Sequence, residues 1–291
     1  MLKKTVVNIS TYLSLVKFSH TIFAMPFALI GFFLAASDES YGFSLRLLLL
    51  VILSMIFARS AAMAFNRYAD YRFDALNPRT SGREIPSGKI KRRSALIFVI
   101  VSSMLFILTT AFINELALML SPVALAIVLG YSLTKRFTAL CHFILGLGLS
   151  LAPIGAYIAV TNRFDLLPLI YSAIVLTWVG GFDIIYALQD DDFDRLQKLF
   201  SLPAVMGRKT ALRLSAISHI LTACLVVAAG LIGKGGYLFW AGAGIFMILL
   251  TFQHRIVKHD DLRRVNMAFA TTNGIAGLLL AVFVIADLFI S

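Results

Sequence analysis

Nine stretches of this chain, each about twenty residues long, are apolar almost throughout, and such runs have few folded destinations. They cover roughly 18–36, 45–65, 95–113, 116–133, 140–160, 167–187, 210–232, 236–253 and 268–290. Inside a bilayer every backbone N–H and C=O must find its partner within the protein, which leaves helices and closed barrels. Barrel strands alternate apolar and polar residues, and these runs are continuous. The expectation is an all-α integral membrane protein, with residues 1–291 forming a single domain: one bundle of nine transmembrane helices around a central cavity. A hydrophobic content of 59% in 291 residues is more than a soluble core of that size hides.

The formal net charge of +11 invites a nucleic-acid reading, but its placement argues otherwise. Of the 26 basic residues, 22 fall in the amino-terminal segment and the even-numbered loops; only Arg46, Arg163 and Lys234 fall in the odd-numbered ones, with Arg59 inside a span. By the positive-inside rule the amino terminus and the even loops are cytoplasmic and the carboxyl terminus lies outside. Membrane lipid, not nucleic acid, is the partner this basicity implies. Lys3 and Lys4 precede a long first span with eight more behind it, so that span is expected to be a retained helix, not a cleaved signal. Cys141 and Cys224 lie in apolar spans without ligand neighbours and are expected to pack. Nothing in the sequence specifies an oligomeric state.

Two acidic patterns stand 120 residues apart: Asn66-x-x-x-Asp70-x-x-x-Asp74 and Asp190-x-x-x-Asp194, the second preceded by Asp183. Fourfold spacing stacks side chains on one helical face, so each copy is a ladder of oxygen ligands. Packed carboxylates repel unless a cation bridges them, and acidic residues have little topological role, so solvated helix ends explain the clustering poorly. Mg²⁺ fits: it takes one or two carboxylates, keeps several waters and is completed by substrate phosphates. Asp183 lies seven residues before Asp190, on that same face and deeper, where a bare carboxylate costs about 2.5–3.5 kcal/mol, so it is expected to line a wet cavity. Asp191 and Asp192 point elsewhere and are expected to face solvent or support the ligands.

Both ladders run into polar loops, 67–94 and 188–209, that share an order of acidic helix end, Pro turn, Gly and basic residues. This suggests a degenerate duplication, a device also used by transporters. Arg79 and Arg83, four apart just beyond the first ladder, can aim two forked donors at one anion. Lys89, Lys91, Arg92 and Arg93 are expected to anchor the next helix to headgroups. Arg59, two turns before Asn66 on the same helix face, either clamps the carboxylate of a second substrate or neutralises Asp183; the first is preferred. His20, Tyr131, Tyr157 and Trp178 are weak signals, whereas Tyr186, between Asp183 and Asp190, has an aromatic face able to stabilise a carbocation.

The stretch from Arg59 through Asn66 and Asp70 to Asp74 resembles the first motif of the UbiA superfamily of intramembrane aromatic prenyltransferases. The stretch Phe182-Asp183-Ile-Ile-Tyr186-Ala-Leu-Gln-Asp190-Asp-Asp-Phe-Asp194 resembles the second. Motif order, the Asn-Pro-Arg-Thr and Ile-Pro-Ser-Gly loop and the nine spans agree over essentially the whole chain, although Arg67 follows Asn66 where the superfamily often has Asp. Within it the chain is most similar to the 4-hydroxybenzoate polyprenyltransferases and to the enzymes proposed for the futalosine route to menaquinone.

The resemblance implies a Mg²⁺-dependent transfer of a polyprenyl group from polyprenyl diphosphate to an aromatic carboxylic acid, in quinone biosynthesis at the bacterial inner membrane. It makes Asn66, Asp70, Asp74, Asp183, Asp190 and Asp194 the metal ligands, with Arg79, Arg83 and Lys135 on the diphosphate and Arg59 on the aromatic carboxylate. The acidic residues and Tyr186 would be catalytic. Two alternatives stay open: a naphthoate acceptor, and a multi-helix secondary transporter, which would carry its ionisable residues near the bilayer midplane.

Overall fold

The computed structural model describes residues 9–16 and 24–290, all helix, turn or coil, with no strand among them. Eight helices are long and apolar enough to cross a membrane: α3 (Leu45–Ala69), α5 (Arg92–Ala111), α6 (Glu115–Thr134), α7 (Cys141–Thr161), α8 (Leu166–Ala187), α11 (Arg208–Ile232), α12 (Tyr237–Ile256) and the final run Met267–Ile290. Of the expected first span, residues 24–36 are described, with the twelve-residue apolar helix α2 (Met25–Ala36), and residues 18–23, His20 among them, lie outside the described residues. Short helices fill the rest: α1 (Ile9–Leu15), α4 (Tyr71–Leu76), α9 (Asp191–Leu196) and α10 (Leu202–Met206).

Local chemistry sets the helix ends. Ser44 and Asn114 start α3 and α6, their side-chain oxygens accepting the N–H groups of Leu47 at 3.4 Å and Ala117 at 2.8 Å. Asn162 ends α7 in the left-handed conformation at φ 54°. The last run opens with a π-helical turn, Met267–Thr272, before α13 (Asn273–Ile290).

The axis of the bundle is α7, which packs against α2, α6 and α8. Helices approach that closely only where side chains vanish. A Cβ on Gly31 would lie 2.0 Å from the Pro153 carbonyl oxygen, and one on Gly146 would lie 2.4 Å from that of Leu176, so α2 and α8 touch α7 backbone to backbone. On one side α2, α8, α11, α12 and α13 close around fully buried Trp178, packed with Phe27, Phe246 and Leu280. On the other, α3, α5 and α6 complete the wall.

Candidate active site

Each acidic ladder sits where a membrane helix gives way to a short surface helix. α3 stops at Ala69, Asp70 leaves the helical conformation, and α4 resumes at Tyr71, yet the four-residue repeat persists: Asp70 N–H bonds Asn66 O at 2.9 Å and Asp74 N–H bonds Asp70 O at 2.8 Å. In the second copy α8 stops at Ala187, Asp190 caps α9, and Asp194 N–H bonds Asp190 O at 2.7 Å. This corrects the continuous face expected from Asp183 to Asp190: a turn separates them, because three residues between the helices leave the 3.6-residue register.

The two copies meet. Asn77 Nδ2 donates to Asp190 Oδ1 at 3.0 Å, and Arg79 grips the same carboxylate with Nε at 2.9 Å and with Nη2. Arg83 Nη1 lies 2.6 Å from Asp74 Oδ1, Arg136 Nη2 lies 3.0 Å from Asp70 Oδ1, and Lys135 Nζ lies 2.7 Å from Asp194 Oδ1. Thus Arg79 and Arg83 do not converge on one point as their spacing suggests; each neutralises a different ladder. Asn66 belongs to the first array, its Nδ2 donating to Asp70 Oδ2 at 3.2 Å while its oxygen accepts from buried Arg67 at 3.3 Å.

Charge balance tunes these groups. Burial pushes the Asp190 carboxyl up, but the Arg79 guanidinium, the Asn77 amide and Lys135 outweigh it and hold it below the usual carboxylate range. Burial prevails at Asp70 against Arg136, and at Asp194 against Lys135 and Ser201, so both carboxyls lie above that range. Among the described residues no three acidic, His or Cys side chains form a ready-made metal cluster. One buried carboxylate oxygen nonetheless lacks any partner among the described residues, Asp74 Oδ2, while Asp194 Oδ1 is met only by the Lys135 ammonium. Carboxylate oxygens that are unpartnered or held only by a displaceable cationic side chain are a donor set that suits a hard, oxygen-seeking dication.

Tyr186 joins the site through its hydroxyl, which accepts from Arg79 Nη1 at 3.0 Å, and its ring stacks on Phe269 of the π-helical turn with centroids 4.1 Å apart. Asp183 stands apart, bonded not to Arg59 but to His142 Nδ1 at 2.7 Å, which removes the mutual neutralisation considered for that pair. Arg59 is half-buried, its Nε buried and unpartnered among the described residues, and it lines an apolar cavity of about 310 Å³ between α3, α5, α6 and α7 with Tyr131, Ser54 and Phe106. On α7 that cavity runs from Leu145 to Ala159, about 21 Å at 1.5 Å per residue. Gly155 lines it with nothing within 4 Å of the position a Cβ would take.

Several residues carry more than their pattern indicated. Asp191 is not solvent-facing: it is buried against Arg208, whose Nε and Nη2 reach it at 2.7 and 2.8 Å, while Asp192 is 77% exposed. Arg92 does not simply reach for headgroups, since its guanidinium carbon lies 4.4 and 4.2 Å from the ring centroids of Tyr68 and Tyr71. Arg136, Asn77 and His142 were not singled out. Arg136 adjoins Lys135 in the even-numbered loop and Asn77 opens the Asn-Pro-Arg-Thr turn, so both had a signal; a single His at the start of an apolar run has none.

Comparison with known proteins agrees with this architecture. A profile described as the UbiA prenyltransferase family matches residues 24–285. The 4-hydroxybenzoate octaprenyltransferase of Aliivibrio fischeri strain MJ11 is 31% identical over 242 residues, covering 80% of this chain and 81% of its own. The apo structure of a UbiA homolog from Aeropyrum pernix K1 is 30% identical, with TM-score 0.79 over 93% of this chain and 97% of that one. A UbiA homolog from Archaeoglobus fulgidus bound to DMAPP and Mg²⁺ shares the fold at 20% identity, with TM-score 0.76 over 97% of this chain and 100% of that one. The transporter alternative falls away, since the acidic arrays lie at helix ends and the family is one of transferases. From its helical bundle, its paired acidic motifs and this match over most of its length, the chain is a multi-pass membrane protein that belongs to the UbiA prenyltransferase family.

Proposed function

We propose that this protein transfers a polyprenyl group from polyprenyl diphosphate to an aromatic carboxylic acid, 4-hydroxybenzoate, in the biosynthesis of a respiratory quinone. The observation that carries the proposal is the pairing of four ladder carboxylates, Asp70, Asp74, Asp190 and Asp194, each with its own basic side chain, two from the 67–94 loop and two from the α6–α7 turn. Such a site is poised for exchange: a diphosphate brings the anion those basic groups need, and the carboxylates are released to hold cations. The named relatives act on 4-hydroxybenzoate, and an Archaeoglobus homolog binds DMAPP with Mg²⁺, which supports both substrates.

Asn66, Asp70, Asp74, Asp190 and Asp194 would hold Mg²⁺, with Asp183 on the neighbouring helix end; the ion supplies charge neutralisation for the diphosphate leaving group. Arg79, Arg83 and Lys135 turn from carboxylate to diphosphate oxygens and bind the developing negative charge. Electrostatic stabilisation of this kind is typically the largest catalytic contribution, with a single donor worth about 3–4 kcal/mol. Arg59, set in an otherwise apolar wall, orients the acceptor through its carboxylate. As the C1–oxygen bond of the allylic diphosphate breaks and diphosphate leaves with the bonding pair, the ring carbon beside the acceptor hydroxyl bonds to C1 and gives up its proton to a nearby carboxylate or to the departing diphosphate. The apolar walls exclude water that would otherwise capture the allylic cation.

The predominance of basic residues on the ladder side supports a bacterial cytoplasmic membrane location with these loops in the cytosol. The test is to supply membranes containing the protein with polyprenyl diphosphate, 4-hydroxybenzoate and Mg²⁺. A ring-prenylated acid and released diphosphate are expected, both lost on chelation. Vesicle flux without prenylated product, or equal turnover of a naphthoate, overturns the assignment.

A further inference from the structure

Asp183 differs from the other acidic candidates in having no guanidinium or ammonium partner among the described residues. Its Oδ2 lies 2.7 Å from His142 Nδ1; its Oδ1 has no hydrogen-bond partner there, and its side chain keeps 22% exposure. His142 is the second residue of α7 and is 2% exposed. Its other ring nitrogen, Nε2, accepts the backbone N–H of Leu202 at 3.2 Å. A ring nitrogen that accepts from an amide carries no proton, so the imidazole proton resides on Nδ1 and points at Asp183. The amide of Leu202 thereby fixes both tautomer and ring plane.

That amide is itself held firmly. Leu202 ends a strap, Leu199–Leu202, that follows the second ladder and is stitched to it and to the α6–α7 turn. Leu199 N–H bonds Asp194 O at 2.8 Å, Phe200 N–H bonds Lys135 O at 2.7 Å, Cys141 Sγ reaches Phe200 O at 3.4 Å, and Ser201 Oγ donates to Asp194 Oδ2 at 2.7 Å. One buried imidazole therefore links a strap anchored on Asp194 to the carboxylate of Asp183. Any buried imidazole needs partners for its ring nitrogens; what marks His142 is that its partners are Asp183 and the strap that Asp194 anchors.

We infer that His142 is a positioning residue for the prenyl transfer: it donates through Nδ1 to Asp183, fixes that carboxylate relative to Asp194, and leaves Oδ1 free for the substrate complex. The inference rests on the transferase reading above, within which it assigns a role to a residue outside both acidic motifs. Removing a group that orients a ligating carboxylate typically costs about 10–100-fold in metal affinity or activity.

The test compares His142→Leu with His142→Gln, whose amide can donate to Asp183 and accept from Leu202. Two quantities are read on folded protein in detergent: the Mg²⁺ concentration giving half-maximal thermal stabilisation in the presence of inorganic pyrophosphate, which needs no acceptor, and kcat with KM. His142→Leu is expected to raise that Mg²⁺ requirement and lower kcat by about 10-fold or more. KM for the acceptor should hold, and His142→Gln should return both readouts to within about threefold. His142→Met, similar in bulk and without an N–H, replaces the leucine variant if that does not fold. The inference is overturned if the apolar variant keeps the parent Mg²⁺ requirement, or if the glutamine variant fails as badly as the leucine one. Absence of prenylated product from the parent protein would instead overturn the transferase reading, while the pyrophosphate readout still decides the role of His142.

Discussion

Asn77 Nδ2 donates to Asp190 Oδ1 at 3.0 Å, although 113 residues separate them in the chain. The same side chain accepts the Arg79 N–H through Oδ1 at 2.9 Å, so one buried amide shapes the turn that aims Arg79 and holds the carboxylate that Arg79 grips. The first expected outcome concerns this amide. Asn77→Leu keeps the volume and leaves Asp190 short of a donor, a loss of about 1–3 kcal/mol in stability. Asn77→Asp adds repulsion between two carboxylates and should cost more. Thermal unfolding in detergent should rank the parent above Leu and Leu above Asp.

Arg79 meets Asp190 through two nitrogens and Tyr186 through a third, a fork that lysine cannot copy. Both Arg79→Ala and Arg79→Lys should lower kcat/KM for the polyprenyl diphosphate by about 10–100-fold, with the alanine change larger, because hydrogen bonds to charged groups are worth about 1.5–3 kcal/mol. Steady-state kinetics at saturating acceptor measure this, and KM for the aromatic acid should stay within about twofold of the parent.

Gly155 faces open space in the cavity beneath Arg59. Gly155→Leu places an apolar side chain there without striking backbone. A five- or ten-carbon prenyl diphosphate should still be used at near-parental kcat/KM, while long-chain diphosphates should lose about 10-fold, a size typical of discrimination by one or two methylenes. Competition between short and long donors, read by mass spectrometry of the products, checks it.

Arg208 and Asp191 form an ion pair whose acid is buried and whose base is one-third exposed. Arg208→Met strands the Asp191 carboxylate. Stability should fall by about 1–3 kcal/mol, as for a buried group losing its charged partner near the surface. Because Arg208 faces Asp191 and Asp192 and none of the ladder acids, kcat of the folded fraction should change by less than about twofold. Thermal shift and kinetics on one preparation separate the two.

How much of this was legible in advance depends on the kind of signal. Membrane helices are written in runs of about twenty apolar side chains, so the eight long apolar helices fall near their expected bounds, while the short helices α4, α9 and α10 were not foreseen. The ladders were readable because fourfold spacing is a helical rule, and Asn66, Asp70 and Asp74 keep it. The break at Asp190 was not, since two helices meeting at a short turn look like one on a hydropathy scale. Pairings across the fold were invisible for another reason. Arg79 to Asp190 spans 111 residues and His142 to Asp183 spans 41, and nothing local in either residue names the other. Asp191 misled because it sits in an acidic run whose members differ only in which way the helix turns them.

The π-helical turn at Met267–Thr272 carries Phe269 onto the Tyr186 ring and delivers Asn273 to a buried knot, where its Nδ2 donates to Gln253 Oε1 at 3.2 Å and its Oδ1 accepts from Trp178 Nε1 at 3.1 Å. A wide turn of this kind holds one more residue than an ordinary one. Shortening it by one would rotate everything beyond it by about 100° and slide it about 1.5 Å, turning Asn273 away from both partners. Residue number in that turn, as much as residue identity, is therefore under constraint, and a one-codon deletion there should do more harm than most single replacements.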